Sequence, residues 1–167
     1  MKKYALNILI FTFFVNLSFS QNLDSLYVSR INDTILSKYL NEKRPIEIQL
    51  PRSYDTNPDK KYPLIVVLDG DYMFNIVAGS VDYLSYWGDI PENLIVGINQ
   101  KETRFKDSSV LDNITHTPIT STASFYDFIV NEVIPYFSKN YRISNFRVIL
   151  GQERTANFAN FFLLKKN

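Results

Sequence analysis

Two short runs of uninterrupted apolar residues constrain the fold of this chain more than any other feature. Pro63 to Leu68 reads Pro-Leu-Ile-Val-Val-Leu, and Asn93 to Asn99 contains Leu-Ile-Val-Gly-Ile. A strand that is apolar at every position is buried on both faces, which is typical of parallel sheets. Between the runs, Tyr72 to Trp87 has apolar residues at helical spacing. The pattern predicts an α/β fold, with a mainly parallel sheet and helices on both faces.

The residues before the first apolar run predict an antiparallel hairpin. Asp33 to Leu40 alternates loosely, and Pro45 to Leu50 alternates cleanly, with isoleucine at 46 and 48 and leucine at 50 on one face. Residues 41–44 are polar and are predicted to form the turn between these strands. Residues 51–61 are rich in Pro, Asn, Asp and Lys, which predicts a loop.

The last third of the chain predicts a long loop, a helix, a strand and a final helix. Gln100 to Thr122 is polar and long for a connection, and loops of that length often carry function. Ala123 to Tyr141 is an amphipathic helix in which Pro135 is expected to introduce a kink. Arg147 to Leu150 is a short strand that runs into a tight turn.

The N-terminus has the pattern of a secretory signal. Lys2 and Lys3 precede the apolar stretch Ala5 to Leu17, and Ser18-Phe19-Ser20 places small residues where a signal peptidase cuts. The apolar stretch is shorter than the ~20 residues of a spanning helix, so no stable membrane span is expected. We therefore expect residues 1–20 to be a signal peptide, residues 21–167 to form one domain, and the mature protein to be periplasmic or secreted.

Composition excludes several classes of function. The formal net charge is +1, which gives no electrostatic footprint for a nucleic acid. The chain has no cysteine, and therefore no disulfide and no catalytic thiol. With a single histidine, no metal site and no cofactor are predicted.

The turn after the last strand resembles a nucleophile elbow in which the nucleophile is replaced. The elbow motif is Gly-x-Ser-x-Gly between a strand and a helix. Here Gly151 is the first glycine, Glu153 stands in the serine position and Thr155 stands in the position of the second glycine. Because this turn is strained and normally requires small residues, we expect Thr155 to be costly.

Four segments in order resemble the esterase D-like family of esterases, a branch of the α/β-hydrolases that includes siderophore esterases, feruloyl esterases and S-formylglutathione hydrolases. The segments are Arg-Pro-Ile at 44–46, Lys-Tyr-Pro-Leu-Ile-Val-Val-Leu-Asp-Gly-Asp at 61–71, Thr-Pro at 117–118, and residues 132–142. The resemblance covers residues 33–165 and implies the strand order 1-2-4-3-5. In that family the triad acid and histidine follow the elbow, so the resemblance predicts a partial fold, truncated after the elbow, with 147–150 as an open edge.

The resemblance directs attention to two groups of candidate residues. Glu153 is either a carboxylate nucleophile or a relic of the site that pairs with a neighbouring arginine. The loop with Gly70, Asp71 and Tyr72 corresponds to the family's oxyanion loop, and its backbone N–H groups, together with that of Arg154, are candidates for binding an ester-like small molecule. The simpler alternative is that Asp71 caps the following helix.

Two other sets of residues are candidate sites. His116, the only histidine, has Asp107, Asp112, Ser108, Ser109 and Thr115 near it in sequence, but it precedes the elbow and is expected to be a surface residue. Tyr83, Tyr86 and Trp87 close the first long helix. They are either a stacking surface for a sugar or aromatic ligand, or ordinary packing residues, and the spacing favours packing.

These observations support three hypotheses. The first is an exported esterase-family homologue that is non-catalytic as this chain. The second is a fragment of a carboxylic ester hydrolase that acts on small acyl esters. The third is an interaction module that uses the exposed strand 147–150 to bind a partner or a second copy.

Overall fold

The computed structural model describes residues 28–109 and 120–164, which form a five-stranded sheet flanked by helices. The strands are β1 Arg30–Ser37, β2 Glu42–Gln49, β3 Tyr62–Val67, β4 Leu94–Ile98 and β5 Ile143–Leu150. The helices are α1 Gly70–Tyr86, α2 Arg104–Ser108, α3 Thr120–Phe128, α4 Ile134–Asn140, α5 Arg154–Ala159 and α6 Phe161–Leu164. The predicted signal peptide and residues 112 and 115–118 lie outside the described residues.

The strand order is β1-β2-β4-β3-β5, which confirms the order that the resemblance implied. The strands β3, β4 and β5 are parallel, while β1 and β2 form the antiparallel hairpin and β2 also runs antiparallel to β4. The two apolar runs are the parallel strands β3 and β4, which lie between β2 and β5 in the sheet. All five residues of β4 are buried.

The sheet separates two apolar clusters, which confirms helices on both faces. On one face Ile65, Val67 and Ile95 pack against Phe74 and Val77 of α1. The other face carries the larger cluster, in which alternate residues of β2, β3 and β4 meet the helices between residues 120 and 140 and α5. Ile46 and Ile48 both lie in this larger cluster, as their alternation predicted.

The hairpin turn lies earlier than predicted. The turn is formed by residues 38–41, with Asn41 in the left-handed region at φ 54°, which asparagine tolerates. Residues 42–44 belong to β2, although their charges suggested a turn. The physical reason is that Arg44 points into the same face as Ile46 and is only 2% exposed, since its charge is paired with Asp107 and Glu42.

The helix predicted over 123–141 begins at Thr120 and ends at Asn140, and it changes winding at its centre. Ile129–Val133 is a π-helical turn that joins α3 to α4. The N–H of Ile134 donates to the carbonyl of Ile129, five residues earlier, immediately before Pro135. Proline cannot donate and its ring crowds the preceding turn, and a widened turn relieves that crowding. The irregularity predicted at Pro135 is therefore a π turn.

The strand predicted at 147–150 is longer and begins at Ile143. It pairs with β3, and in the described part of the chain no strand pairs with its other edge. The polar stretch predicted to be one long loop contains the short helix α2. None of the helices in residues 28–109 and 120–164 is long and apolar enough to cross a bilayer.

Candidate functional site

The elbow is formed where β5 ends and α5 begins. A Cβ atom on Gly151 would lie 2.6 Å from the backbone carbon of Thr155, so only glycine allows the chain to turn back this closely. Glu153 has φ 54° and ψ −107°, outside the regions that a residue with a side chain ordinarily adopts. The strand–turn–helix geometry predicted for the elbow is thus present, with its strained residue at the nucleophile position.

Thr155 is not the costly residue that its position in the motif suggested. It lies in the first turn of α5, it is not among the residues with positive φ, and it is fully buried. Its Oγ1 accepts a hydrogen bond from the N–H of Gln152 at 2.8 Å and lies 2.7 Å from Oδ2 of Asp69. The expectation was wrong because the strain is confined to Glu153, and because the threonine hydroxyl finds polar partners in the space beside the turn.

Asp69 is the centre of the hydrogen-bond network at this site. The resemblance placed it in the segment 61–71 but assigned no role to its side chain. It follows β3 with φ 54° and is 1% exposed. Its Oδ1 accepts a hydrogen bond from Nε of Arg104 at 2.8 Å. Its Oδ2 faces the hydroxyls of Thr155 and Tyr72, at 2.7 and 3.1 Å. The carboxylate therefore ties the end of β3 to the elbow and to α2.

Arg104 bridges Asp69 and the elbow. Its Nη2 lies 3.1 Å from the carbonyl oxygen of Gln152 and 3.4 Å from Oε2 of Glu153. The hydrogen bond to Asp69, followed by its negative charge, raises the pKa of the Arg104 guanidinium above its usual value. Glu153 is 78% exposed in this contact, so solvent screens the pair strongly. The interpretation of Glu153 as a residue paired with an arginine is supported, but that arginine is the distant Arg104.

The side chain of Arg154 is directed away from Glu153. Its Nη1 donates to Oγ of Ser109 at 3.1 Å, and its guanidinium lies 4.5 Å from the centre of the Phe105 ring. Its backbone N–H is in the first turn of α5, where backbone donors have no partner within the helix. Glu153, Arg154 and Asn157 line an open depression of about 290 Å³.

Gly70, Asp71 and Tyr72 form the first turn of α1, and Tyr72 reaches the elbow from there. A Cβ on Gly70 would lie 2.7 Å from the backbone of Gly97, so the close approach of α1 to β4 requires glycine. The hydroxyl of Tyr72 lies 2.7 Å from Oε1 of Gln152. Desolvation and the negative charge of Asp69 raise the pKa of Tyr72.

Asp71 does not cap α1, so the simpler alternative for this residue was wrong. The N-cap position is Asp69, which makes no side-chain cap hydrogen bond. Oδ1 of Asp71 instead accepts a hydrogen bond from the N–H of Gln100 at 3.0 Å. A second depression, of about 400 Å³, opens beside Asp71 and Gln100 and extends to the start of β2.

The residues grouped around His116 do not form a site among those described. His116, Asp112 and Thr115 lie outside the described residues. Asp107 is fully buried. Its Oδ2 accepts a hydrogen bond from Nη1 of Arg44 at 2.5 Å and another from Oγ1 of Thr103 at 2.7 Å. In the described ranges no cluster of His, Cys, Asp and Glu could hold a metal ion.

Tyr83, Tyr86 and Trp87 are not packing residues. They are 64%, 60% and 65% exposed, at the end of α1 far from the elbow. The spacing favoured packing, but the helix turns these three rings towards solvent, so that prediction was wrong.

The strand order, the elbow after β5 and the loop after β3 together define an α/β-hydrolase. The chain belongs to the esterase family described as Putative esterase, which matches residues 37–164. No curated protein matches the chain.

Several solved structures share the fold. An uncharacterised protein from Capnocytophaga ochracea DSM 7271 has 27% identity and a TM-score of 0.74 over 83% of this chain and 37% of its own length. An IroE-like serine hydrolase from Shewanella oneidensis has 24% identity and a TM-score of 0.64 over 75% of this chain and 43% of its own. The siderophore hydrolase EstB from Aspergillus nidulans has 18% identity and a TM-score of 0.66 over 83% and 52%. The chain spans about half or less of the length of these proteins.

Proposed function

We propose that this chain is an exported esterase-family homologue whose elbow region binds ester-like small molecules without hydrolysing them. The observation that carries the proposal is Glu153. It holds the backbone conformation of an elbow nucleophile, but it presents a solvent-exposed carboxylate to the guanidinium of Arg104.

The chemistry of a carboxylate at this position disfavours ester turnover. Attack by Glu153 on an ester carbonyl would release the alcohol and leave a mixed anhydride, which must then be hydrolysed by an activated water. Glu153 is 78% exposed, and a carboxylate that is hydrated by bulk water is a weak nucleophile towards an ester. The described part of the chain contains no histidine that could serve as the base.

Binding is supported by the backbone donors that remain at the site. The N–H groups of Gly70, Asp71 and Arg154 lie in first turns of helices, where they have no partner within the helix. In esterases of this fold, such donors bind the carbonyl oxygen of the substrate as it becomes an oxyanion. A carbonyl or carboxylate oxygen of a ligand is the group that we expect them to hold.

Hydrolysis is tested by assaying the purified chain and Glu153→Gln on p-nitrophenyl acetate. We expect both to match the rate in buffer alone, and mass spectrometry to find no acyl adduct. Turnover that is lost in Glu153→Gln would show that the carboxylate is catalytic, and would overturn the proposal.

Binding is tested separately by titrating the ¹⁵N-labelled chain with benzoate, a carboxylate that mimics the oxyanion. We expect saturable shifts of the Gly70, Asp71 and Arg154 amide signals. Arg104→Ala, which lacks the guanidinium of the network, serves to distinguish backbone binding from binding by this cation. An absence of saturable shifts would leave the site without a ligand and contradict this half of the proposal.

A hydrolase acting on small acyl esters is the second candidate, because the chain spans only 37% and 43% of two of the structures that it resembles. In that case a longer protein would supply the acid and base. The test is the same acyl-ester assay on the longest protein that the gene encodes, with Glu153→Gln as its control.

Export is proposed from the pattern at residues 1–20. We expect a tagged chain to fractionate with the periplasm or medium, and its mature N-terminus to be Gln21. A protein that retains Met1 in the cytoplasm would refute this.

A further inference from the structure

The last turn of α1 and its C-cap residue carry an exposed cluster of three aromatic rings, which we name the aromatic platform: Tyr83, Tyr86 and Trp87. Each side chain is at least 60% exposed. The platform lies at the opposite end of the 17-residue helix from Gly70, about 25 Å along its axis. It is therefore separate from the elbow, and nothing that the elbow does requires it.

The three rings hold one another in fixed orientations. Tyr83 and Trp87 are four residues apart, on the same side of the helix, with ring centres 6.5 Å apart. Tyr86 meets Trp87 edge-on, with ring centres 5.2 Å apart at an interplanar angle of 90°. Such edge-to-face contacts are favourable and restrict the rings, so the platform is largely organised before any ligand arrives.

The platform borders a concave space with a polar rim. Tyr83, Tyr86 and Trp87 line a depression of about 320 Å³ together with Arg52 and Asp82. Arg52 donates twice to Asp82, from Nε at 2.8 Å and from Nη2 at 2.7 Å. A largely aromatic depression with a few fixed polar groups, near the lower end of the size range of ligand sites, is what a small ligand requires.

Charge decides which ligand class fits. The carboxylate of Asp82 is neutralised by Arg52, so the rim has no unbalanced charge for an anion or a cation. The guanidinium of Arg52 already lies 5.3 Å from the centre of the Tyr86 ring, where a quaternary ammonium ligand would have to bind. A ligand of the platform should therefore be neutral, with one apolar face for the rings and hydroxyl groups for the rim.

We propose that the aromatic platform is a binding site for a neutral saccharide. The C–H face of a sugar ring stacks on an exposed aromatic ring, and its hydroxyl groups donate to the carboxylate oxygens of Asp82, which have lone pairs beyond those that accept from Arg52. The site takes one or two sugar units and holds the chain on a glycan without contributing to chemistry at the elbow.

The test uses Trp87, which is the only tryptophan of the chain and so reports on the platform alone. The emission of the full chain is titrated with cellobiose, maltose and xylobiose as neutral saccharides. At least one should shift the emission to shorter wavelength and saturate, with a Kd on the order of millimolar. Tyr83→Ala and Tyr86→Ala should each weaken binding roughly threefold to tenfold. Tyr39→Ala, which removes an exposed tyrosine from the turn after β1, should bind like the unmodified chain.

Three results would overturn the proposal. A saturable response to tetramethylammonium but to no saccharide would make the platform a cation cage. A response to neither would contradict a saccharide site, and self-association that Trp87→Ala abolishes would then make the platform a protein contact. A response to saccharides that Tyr83→Ala and Tyr86→Ala leave unchanged would place the sugar elsewhere. Circular dichroism of each variant confirms that the helix is retained.

Discussion

At the scale of single residues, the site is defined by buried polar groups that form hydrogen bonds with one another instead of with water. Asp69 is buried and accepts hydrogen bonds from three elements of the chain, and Thr155 connects it to the elbow. A buried acceptor that loses a donor is left unsatisfied, and that costs more than the bond itself contributes. The residues of the elbow are therefore coupled through Asp69, although Glu153 itself is only loosely held by Arg104.

Thr155→Val should destabilise the fold. Valine has the same shape but leaves Oδ2 of Asp69 without this donor and the N–H of Gln152 without its acceptor. We expect a loss of about 1–3 kcal/mol in the free energy of unfolding, measured by urea denaturation. Thr34→Val, on the exposed side of β1, is the matched control and should be near neutral. Equal stabilities for the two variants would mean that the Thr155 hydroxyl is unimportant.

The ionisation of Asp33 makes the free energy of unfolding depend on pH. Hydrogen bonds from the Tyr136 hydroxyl and then from the N–H of Thr34 lower the pKa of Asp33 below its usual value. Because its folded-state pKa is lowered, the ionised carboxylate stabilises the fold at pH values above the unfolded-state pKa of about 3.9. This stabilisation is lost as the pH falls through the folded-state pKa.

Asp33→Asn should remove that dependence, because an amide still accepts a hydrogen bond from Tyr136 but does not titrate. The difference in urea midpoint between the native chain and Asp33→Asn should shrink as the pH is lowered from about 6 to about 3. Asp59→Asn, at an exposed loop position, serves as the control. Parallel profiles for the native chain and Asp33→Asn would refute the linkage.

At the scale of elements, the fold follows from local patterns that are visible in the sequence. The site depends on contacts between residues that are distant in the sequence, and no local pattern reveals those contacts. The apolar runs predicted β3 and β4, and alternation predicted the buried face of β2. The turn predicted at residues 41–44 was placed too late because Arg44 is buried by pairing with Asp107, 63 residues away. Arg104 was missed for the same reason, since nothing in a polar loop indicates which distant carboxylates it will reach.

The close packing of the elbow should make Gly151 irreplaceable. In Gly151→Ala the new methyl would lie 2.6 Å from the backbone of Thr155, and backbone cannot move aside as a flexible side chain would. We expect a loss of more than about 3 kcal/mol, or failure to fold. Gly79→Ala is the matched control. Gly79 lies on α1, and its new methyl would contact no atom within 4 Å. The higher helix propensity of alanine should therefore raise the free energy of unfolding by about 0.5–1 kcal/mol. Similar thermal midpoints for the two variants would contradict this account.

At the scale of the whole molecule, the feature that matters most is the outer edge of β5. Phe146 is 66% exposed, and Val148 lies beside an apolar depression of about 370 Å³ that also includes Tyr126 and Phe162. An apolar strand with an unpaired edge is a template for another strand. We propose that this edge pairs with a strand of a partner or of a second copy, which is the interaction hypothesis drawn from the sequence.

Val148→Lys should reduce self-association of the purified chain, because a charge on an edge strand opposes pairing with another strand. The measurement is the weight-average mass by sedimentation equilibrium over a range of concentrations. Ile76→Lys places the same charge on the exposed side of α1, away from any strand edge, and should leave the mass unchanged. If both variants associate as the native chain does, β5 is not the contact.

The strained turn at Glu153 also has a consequence for how relatives of this chain can diverge. The chain turns back closely enough at this point to require glycine at position 151, and the side chain at position 153 projects into solvent. Once selection for hydrolysis is lifted, position 153 is free to drift while 151 remains fixed by folding. A survey of descendants should therefore find many residue types at the nucleophile position on an unchanged elbow, so that loss of activity leaves no trace in the fold.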